Sequence, residues 1–539
     1  MNYNISSLIE KHNELYEEVL KIKGSFERKG KWNDQARTEK MIVISEALKK
    51  NSNIKSINLT DNMIREEIKF ISEALKINSS IDTINLSNNG MKVEGMRLFS
   101  EALKINKTLT DINLSNNHDL NQVDAMKYLG EALKENSTLK TVCLSSNYLQ
   151  GNELKHFFEG LKENNSVKEL YLSNNNNFGV DGISYLSNCL KENTSLTEIS
   201  LSNTKFGADG MFHLSNALKV NSTLKKLNCV DNNIKNQGIF YFSETLIENK
   251  TLEDLDFSYN SIDEEGIRKF FESLKKNSSI KRLSFSSNSI TPNGMKHISD
   301  SLKINKSVQD LNLTWNDISD EGLLHLSECL LSNSTLREIN LRSNQIKHEA
   351  MTAFSKTLTK NNTLHKIYLS NNKIGEQGIS YFFDSLKYNH NLIEIDISNN
   401  QIEDQGIDHL CQSLKENSTL TKLDLSYNNF GSNGFENLCQ TLQVNSTLLF
   451  LRVNNQKIEN LNEKEFNQKI KFLNFLLECN VKWDVSNHLT HSDVFRAAVF
   501  RFLLCLKKKQ KFDPFEFLKY LIPEIIKNIN RKSFWNLMK

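Results

Sequence analysis

Three stretches of this 539-residue chain combine residue types that could do chemistry. Gly24-Ser25-Phe26-Glu27-Arg28-Lys29-Gly30-Lys31-Trp32 has the glycines and lysines of a phosphate-cradling loop, in which backbone amides and an ammonium neutralise the anion. Its glycines are one residue too far apart, Trp32 stands where a magnesium-binding Ser or Thr is needed, and no strand precedes it. His488 and His491, with Cys479 and Cys505, offer four zinc donors at spacings that match no standard finger, so they read as surface or loop residues. His348-Glu349 lacks the second histidine of a metalloprotease helix. No Ser/His/Asp or Cys/His arrangement stands above background. The expectation is a protein with no catalytic residues, no cofactor, no metal and no small-molecule substrate.

Two further segments bear on partners. Lys507-Lys508-Lys509-Gln510-Lys511 follows an apolar helix and would meet acidic lipid or nucleic acid if used functionally, but basic residues also favour a helix C-terminus, and that reading is preferred. Asp513-Pro514-Phe515-Glu516-Phe517-Leu518, ahead of Leu521 and Ile525, is faintly similar to helical boxes that recruit ubiquitin ligases but lacks their Leu-Pro opening.

What positions everything else is a repeat. The pattern Leu-x-x-Leu-x-Leu-x-x-Asn occurs fifteen times, with first positions running from Ile54 to Leu448 and every step from Leu196 onward being 28 residues. Leu252, Leu255, Phe257 and Asn260 are one copy. The Leu-x-Leu core alternates with period 2, as a short half-buried strand does, and the stretch after it, such as Gly294 to Lys303, has apolar residues at helical spacing. Each unit therefore reads as strand, loop and helix. Thr291-Pro292 and Asp263-Glu264-Glu265 supply helix starts. Three residues before every copy stands an Asn, from Asn51 to Asn445, and the expectation is that it ends the helix in a left-handed conformation. Six residues before each copy stands a Leu, preceded always by a small residue, including Ala132, Gly160, Cys189 and Cys329, which implies close helix packing and makes those cysteines core residues. The ninth-position Asn, replaced only by Thr204 and Gln456, is expected to bond the backbone of adjacent turns.

These residues resemble the leucine-rich repeat family, and the 28-residue period with a full helix resembles its ribonuclease-inhibitor-like subclass, which includes the repeat regions of NOD-like immune receptors and of the Ran GTPase-activating protein. The resemblance covers about residues 40–460. It implies an α/β solenoid, a curved horseshoe with a parallel sheet on the concave face, helices on the convex face and helical caps. Residues 1–39 are expected as an N-terminal helical cap, 40–460 as the solenoid and 461–539 as a basic C-terminal helical cap. Residues 481–539 hold twelve Lys+Arg against five Asp+Glu, so the near-neutral total of +2 conceals a mildly acidic solenoid.

The start of the chain lacks a signal-peptide pattern, no run of about eighteen apolar residues occurs, and the eight cysteines form no disulfide framework. A cytoplasmic protein with no transmembrane segment is expected. Asn-x-Ser/Thr triplets such as Asn136-Ser137-Thr138 then follow from the repeat rather than from glycosylation.

On each strand the third, fifth and seventh positions face the concave side. The third column mostly alternates in sign (Glu198, Lys226, Asp254, Arg282, Asp310, Glu338, Lys366, Glu394, Lys422), which predicts cross-strand pairing more than recognition. Large anchors stand out: Tyr259, Trp315 and Tyr427 just before the ladder Asn, Arg342 in the seventh column and Tyr368 in the fifth. They form the expected protein-binding strip, because such side chains bury much area at low entropic cost. The function expected is a non-enzymatic interaction module or scaffold that binds a macromolecule on its concave face. The alternatives are a GTPase-activating protein of the Ran type, implied by the resemblance, and an adaptor whose C-terminal helices recruit a ubiquitin ligase component.

Overall fold

The computed structural model describes residues 34–442 and 444–454. The glycine loop at residues 24–32, the histidines and cysteines of residues 479–505, the basic run 507–511, Gln456, the C-terminal cap and most of the N-terminal cap lie outside the described residues. Repeats are numbered 1 to 15 from Ile54 to Leu448.

Fifteen three-residue strands, from Ser56–Asn58 to Phe450–Arg452, form one parallel sheet in sequence order. Neighbours pair without register slip, as Asp254↔Arg282 and Asp310↔Glu338 show. A helix follows each of the first fourteen strands and returns the chain to start the next. Strands sit about 4.8 Å apart whereas packed helices need about 8–10 Å, so stacking the two layers in register bends the sheet inward. The result is an open solenoid with a concave ladder about 70 Å long.

The first, fourth and sixth positions are buried throughout, as Leu252, Leu255 and Phe257 are. Where the sixth position is Phe, the rings interlock along the stack: Phe257 lies 5.0 Å from Phe242 and 5.8 Å from Phe285, and Phe270 lies 4.8 Å from Phe285. Cys189 and Cys329 are buried as expected, and desolvation pushes each thiol up to about 12. The helix starts behave as read. Thr291 Oγ1 accepts from Gly294 N at 3.3 Å with Pro292 opening the helix, and Asp263 accepts from Glu265 N.

The helix Asp34–Lys50 runs across the boundary expected at residue 39. Its Ser45 Oγ donates to Phe70 O at 2.7 Å and Arg37 pairs with Glu67 at 3.1 Å, which tie it to the helix Ile68–Leu75.

The helix-ending asparagines correct one expectation. None is left-handed: Asn106, Asn136 and Asn249 are extended, with φ from −65 to −85°. Their amides end the helix instead. Asn249 Oδ1 accepts from Thr251 N and Leu252 N, while Nδ2 donates to Leu218 O and Asn221 O of the preceding repeat. A side-chain turn costs no backbone strain and also stitches repeats together, so it wins over the left-handed cap. The same bonding buries Asn136 of the triplet Asn136-Ser137-Thr138.

The ninth-position Asn forms a second ladder, as expected. Asn288 Nδ2 donates to Phe257 O at 2.9 Å, and its Oδ1 accepts from Asn260 N and Ile262 N. Thr204 Oγ1 bonds Leu201 O within its own repeat, and Thr204 N donates to Asn232 Oδ1 of the next at 2.9 Å.

The small column is tightest at Gly160, where an added Cβ would lie 2.1 Å from Gly130 O. Both partners are helix backbone, which has no room to yield. Gly160→Ala is expected to destabilise by about 3 kcal/mol, the upper range for overpacking, read as a lower denaturant midpoint. An unchanged midpoint would show that the helices can separate there at no cost.

Candidate protein-interaction surface

After each strand the chain turns through one residue of fixed shape. The eighth position has a positive φ, between 53 and 62°, in all fourteen described copies. Hydrogen bonding explains the turn. In this conformation the eighth N–H still reaches the next repeat: Tyr259 N donates to Ser286 O, Trp315 N to Arg342 O and Tyr427 N to Asn454 O, each at 2.9 Å. The left-handed region disfavours ordinary L-residues but admits Asn and Asp, whose short side chains bond locally. The column follows that rule with Asn, Asp or Ser in eleven copies, and breaks it at Tyr259, Trp315 and Tyr427.

Among the described residues, no side-chain hydrogen bond of those three offsets the cost. They are among the most exposed large side chains, at 57, 58 and 58% of full exposure. Among the described residues, no ring contact joins them to another aromatic. They fall on repeats 8, 10 and 14, all on one edge of the sheet.

The other two expected anchors stand differently. Arg342 is exposed on repeat 11, directly beside Trp315 through the backbone bond above, and its own N–H donates to Asn340 Oδ1. Tyr368, in the strand Lys366–Tyr368 of repeat 12, is half-buried. Burial first, then the flanking Glu338 and Glu394, raise its phenol well above the usual range, and its hydroxyl is bonded to Glu394. Trp315, Arg342 and Tyr368 thus occupy three successive repeats. Tyr259 stands two repeats to one side of Trp315 and Tyr427 four to the other. Tyr171 repeats the Tyr368 arrangement, with its hydroxyl 3.0 Å from Glu169 and 3.1 Å from Glu198.

Two concave columns prove largely self-satisfied. In the third, Lys226 bonds Glu198 at 2.8 Å, Arg282 bonds Asp254 at 2.7 Å, Lys366 bonds Glu338 at 2.9 Å and Lys422 reaches Glu394 at 3.5 Å. These pairs are solvent-facing, and Lys226→Ala is expected to lower stability by less than about 1 kcal/mol, measured by thermal unfolding. A larger loss would mean the pairs hold the sheet together. In the fifth, Asn and Asp bond back to their own chain: Asp256 Oδ1 accepts from Ser258 N at 2.9 Å, Asn312 Oδ1 from Thr314 N at 3.1 Å and Asp396 Oδ1 from Ser398 N at 2.9 Å. The variability of that column therefore reflects turn chemistry. The run Asn/Asp-x-Ser/Thr was the sequence signal for it. His348 Nδ1 lies 3.6 Å from Glu349 on an exposed loop.

Residues 258–370 match the TMOD/LMOD leucine-rich domain, and residues 163–187, 192–215, 360–383, 388–411 and 416–439 match the leucine-rich repeat model. The chain belongs to the leucine-rich repeat family. The yeast Rad7 and Elc1 complex is similar to this leucine-rich repeat protein at 17% identity over 79% of this chain and 91% of that chain, with a TM-score of 0.41. The leiomodin-1 actin-binding site 2 is similar at 20% identity over 33% of this chain and 96% of that chain, with a TM-score of 0.26. No curated protein matches the leucine-rich repeat protein. None of its described helices is long and apolar enough to cross a membrane.

Proposed function

We propose that this is a non-enzymatic protein-interaction module whose partner docks along the strip formed by Tyr259, Trp315, Arg342, Tyr368 and Tyr427. One observation carries the reading: three large aromatics occupy left-handed positions that other repeats fill with Asn, Asp or Ser, and all three point into solvent. Residues held in costly conformations with no packing return are retained for function, and exposed Trp and Tyr are strong binding anchors. Most charges of the third column are engaged within the sheet, so the aromatics supply most of the affinity.

The test compares proteins recovered by affinity purification from the native cell on the wild-type chain and on the variant carrying Tyr259→Asn, Trp315→Asn and Tyr427→Asn. A specific partner lost only on the variant supports the reading. Equal recovery on both, with intact folding, overturns it. A GTP hydrolysis assay with a panel of small GTPases, positive on the variant as on the wild type, would replace it with the GTPase-activating alternative.

A further inference from the structure

The third column of the concave face contains one irregularity. Its charges pair in order along the sheet, Glu198 with Lys226, Asp254 with Arg282, Glu338 with Lys366 and Glu394 with Lys422. Asp310 stands between the second and third pairs, where an acid is inserted and the alternation slips by one strand. Arg282 on one side is engaged by Asp254, and on the other side stands Glu338, an acid already engaged by Lys366. Among the described residues, Asp310 is the one acid of the column whose carboxylate accepts no hydrogen bond and forms no ion pair, since Asp111 and Glu169 each accept from a hydroxyl. It is also on repeat 10, the repeat that carries Trp315.

We propose that Asp310 receives an arginine or lysine side chain of the protein partner; this rests on the aromatic strip, to which Trp315 of the same repeat belongs, being the docking surface. Charge complementarity selects the partner chemistry. A half-buried carboxylate facing a second acid, with the neighbouring Arg282 bonded to Asp254, forms no ion pair of its own, and an acidic or neutral partner would leave it so. Burial first, then repulsion from Glu338, holds its carboxyl above the ordinary range, although Arg282 and Lys366 pull the other way; Asp254 adds least. A long basic side chain suits the placement because its flexible stem lets the charged head reach a half-buried carboxylate on the sheet face.

The test selects a display library of random twelve-residue peptides on the full chain as wild type, Asp310→Asn and Trp315→Asn. Peptides enriched on the wild type should carry a basic residue at a fixed position and bind Asp310→Asn at least about tenfold more weakly. Exchanging that basic residue for glutamine should weaken binding to the wild type equally and make the two proteins indistinguishable. Because the Asp310 carboxylate bonds nothing among the described residues, Asp310→Asn should melt at or slightly above the wild-type temperature. Enrichment without a basic position, or unchanged binding to Asp310→Asn, overturns the inference while leaving the docking strip standing if Trp315→Asn still fails to bind. Binding insensitive to Trp315→Asn, or no enriched peptide at all, overturns both.

Discussion

Replacing Tyr259, Trp315 and Tyr427 together with asparagine is expected to make the protein more stable and unable to bind its partner. The two effects share one cause. At φ of 56 to 59° a bulky side chain costs roughly 1 kcal/mol more than asparagine, which eight of the other eleven copies approximate with Asn or Asp. Three replacements should therefore add about 2–3 kcal/mol, seen as a raised denaturant midpoint, since distant sites add. Binding should fall far more. A central aromatic anchor contributes about 2 kcal/mol or more when truncated, so loss of even one lowers affinity by about thirtyfold and loss of three removes measurable binding. Alanine would be a poorer choice, because it removes the ring but keeps most of the backbone strain. A variant that is less stable would show that the rings pack on neighbouring loops; a variant of raised stability and unchanged affinity would show that they have no part in binding.

The second large effect concerns the inner ladder. Asn288→Ala removes two donated bonds, to Phe257 O and Ser286 O, and two accepted ones, from Asn260 N and Ile262 N. Asn288 is 1% exposed, so water has no access to the groups left behind. Orphaned buried polar groups cost about 1–3 kcal/mol each, and the expected loss is about 4 kcal/mol. Because each repeat contacts only its neighbours, the damage should be local. Amide hydrogen exchange should accelerate in repeats 8 to 10 before it does so at either end of the sheet. Uniform acceleration along the solenoid would contradict the nearest-neighbour picture.

Much of this was legible in the residues, and the exceptions have physical reasons. The repeat, the strand and helix faces and the inner Asn ladder follow from periods of 2 and 3.6 and from one polar column in an apolar unit. The outer Asn column was visible, but an asparagine that bends its backbone and one that bonds through its amide leave the same trace in sequence; only φ separates them at Asn106 and Asn249. The left-handed residue lies at the eighth position of the repeat and not three positions before it. There the column itself carried the signal, since Asn, Asp and Ser predominate, and against that background Tyr259, Trp315 and Tyr427 depart more sharply than exposure alone would suggest. Tyr368 shares their residue type, yet its bond to Glu394 and partial burial give it a second role within the sheet. The isolation of Asp310 needed geometry, because two acids in succession do not reveal which neighbour each cation chooses.

The most direct measurement places a benzoylphenylalanine crosslinker at Ser287, the eighth position of repeat 9 between Tyr259 and Trp315, and separately at Lys296 on the exposed side of the helix Pro292–Leu302. Ser287 already has the left-handed conformation that its aromatic neighbours tolerate, so the probe fits the turn. The account predicts that the co-purified partner crosslinks on illumination from Ser287 and not from Lys296. A partner captured from Lys296 and not from Ser287 would place recognition on the helical face and contradict it.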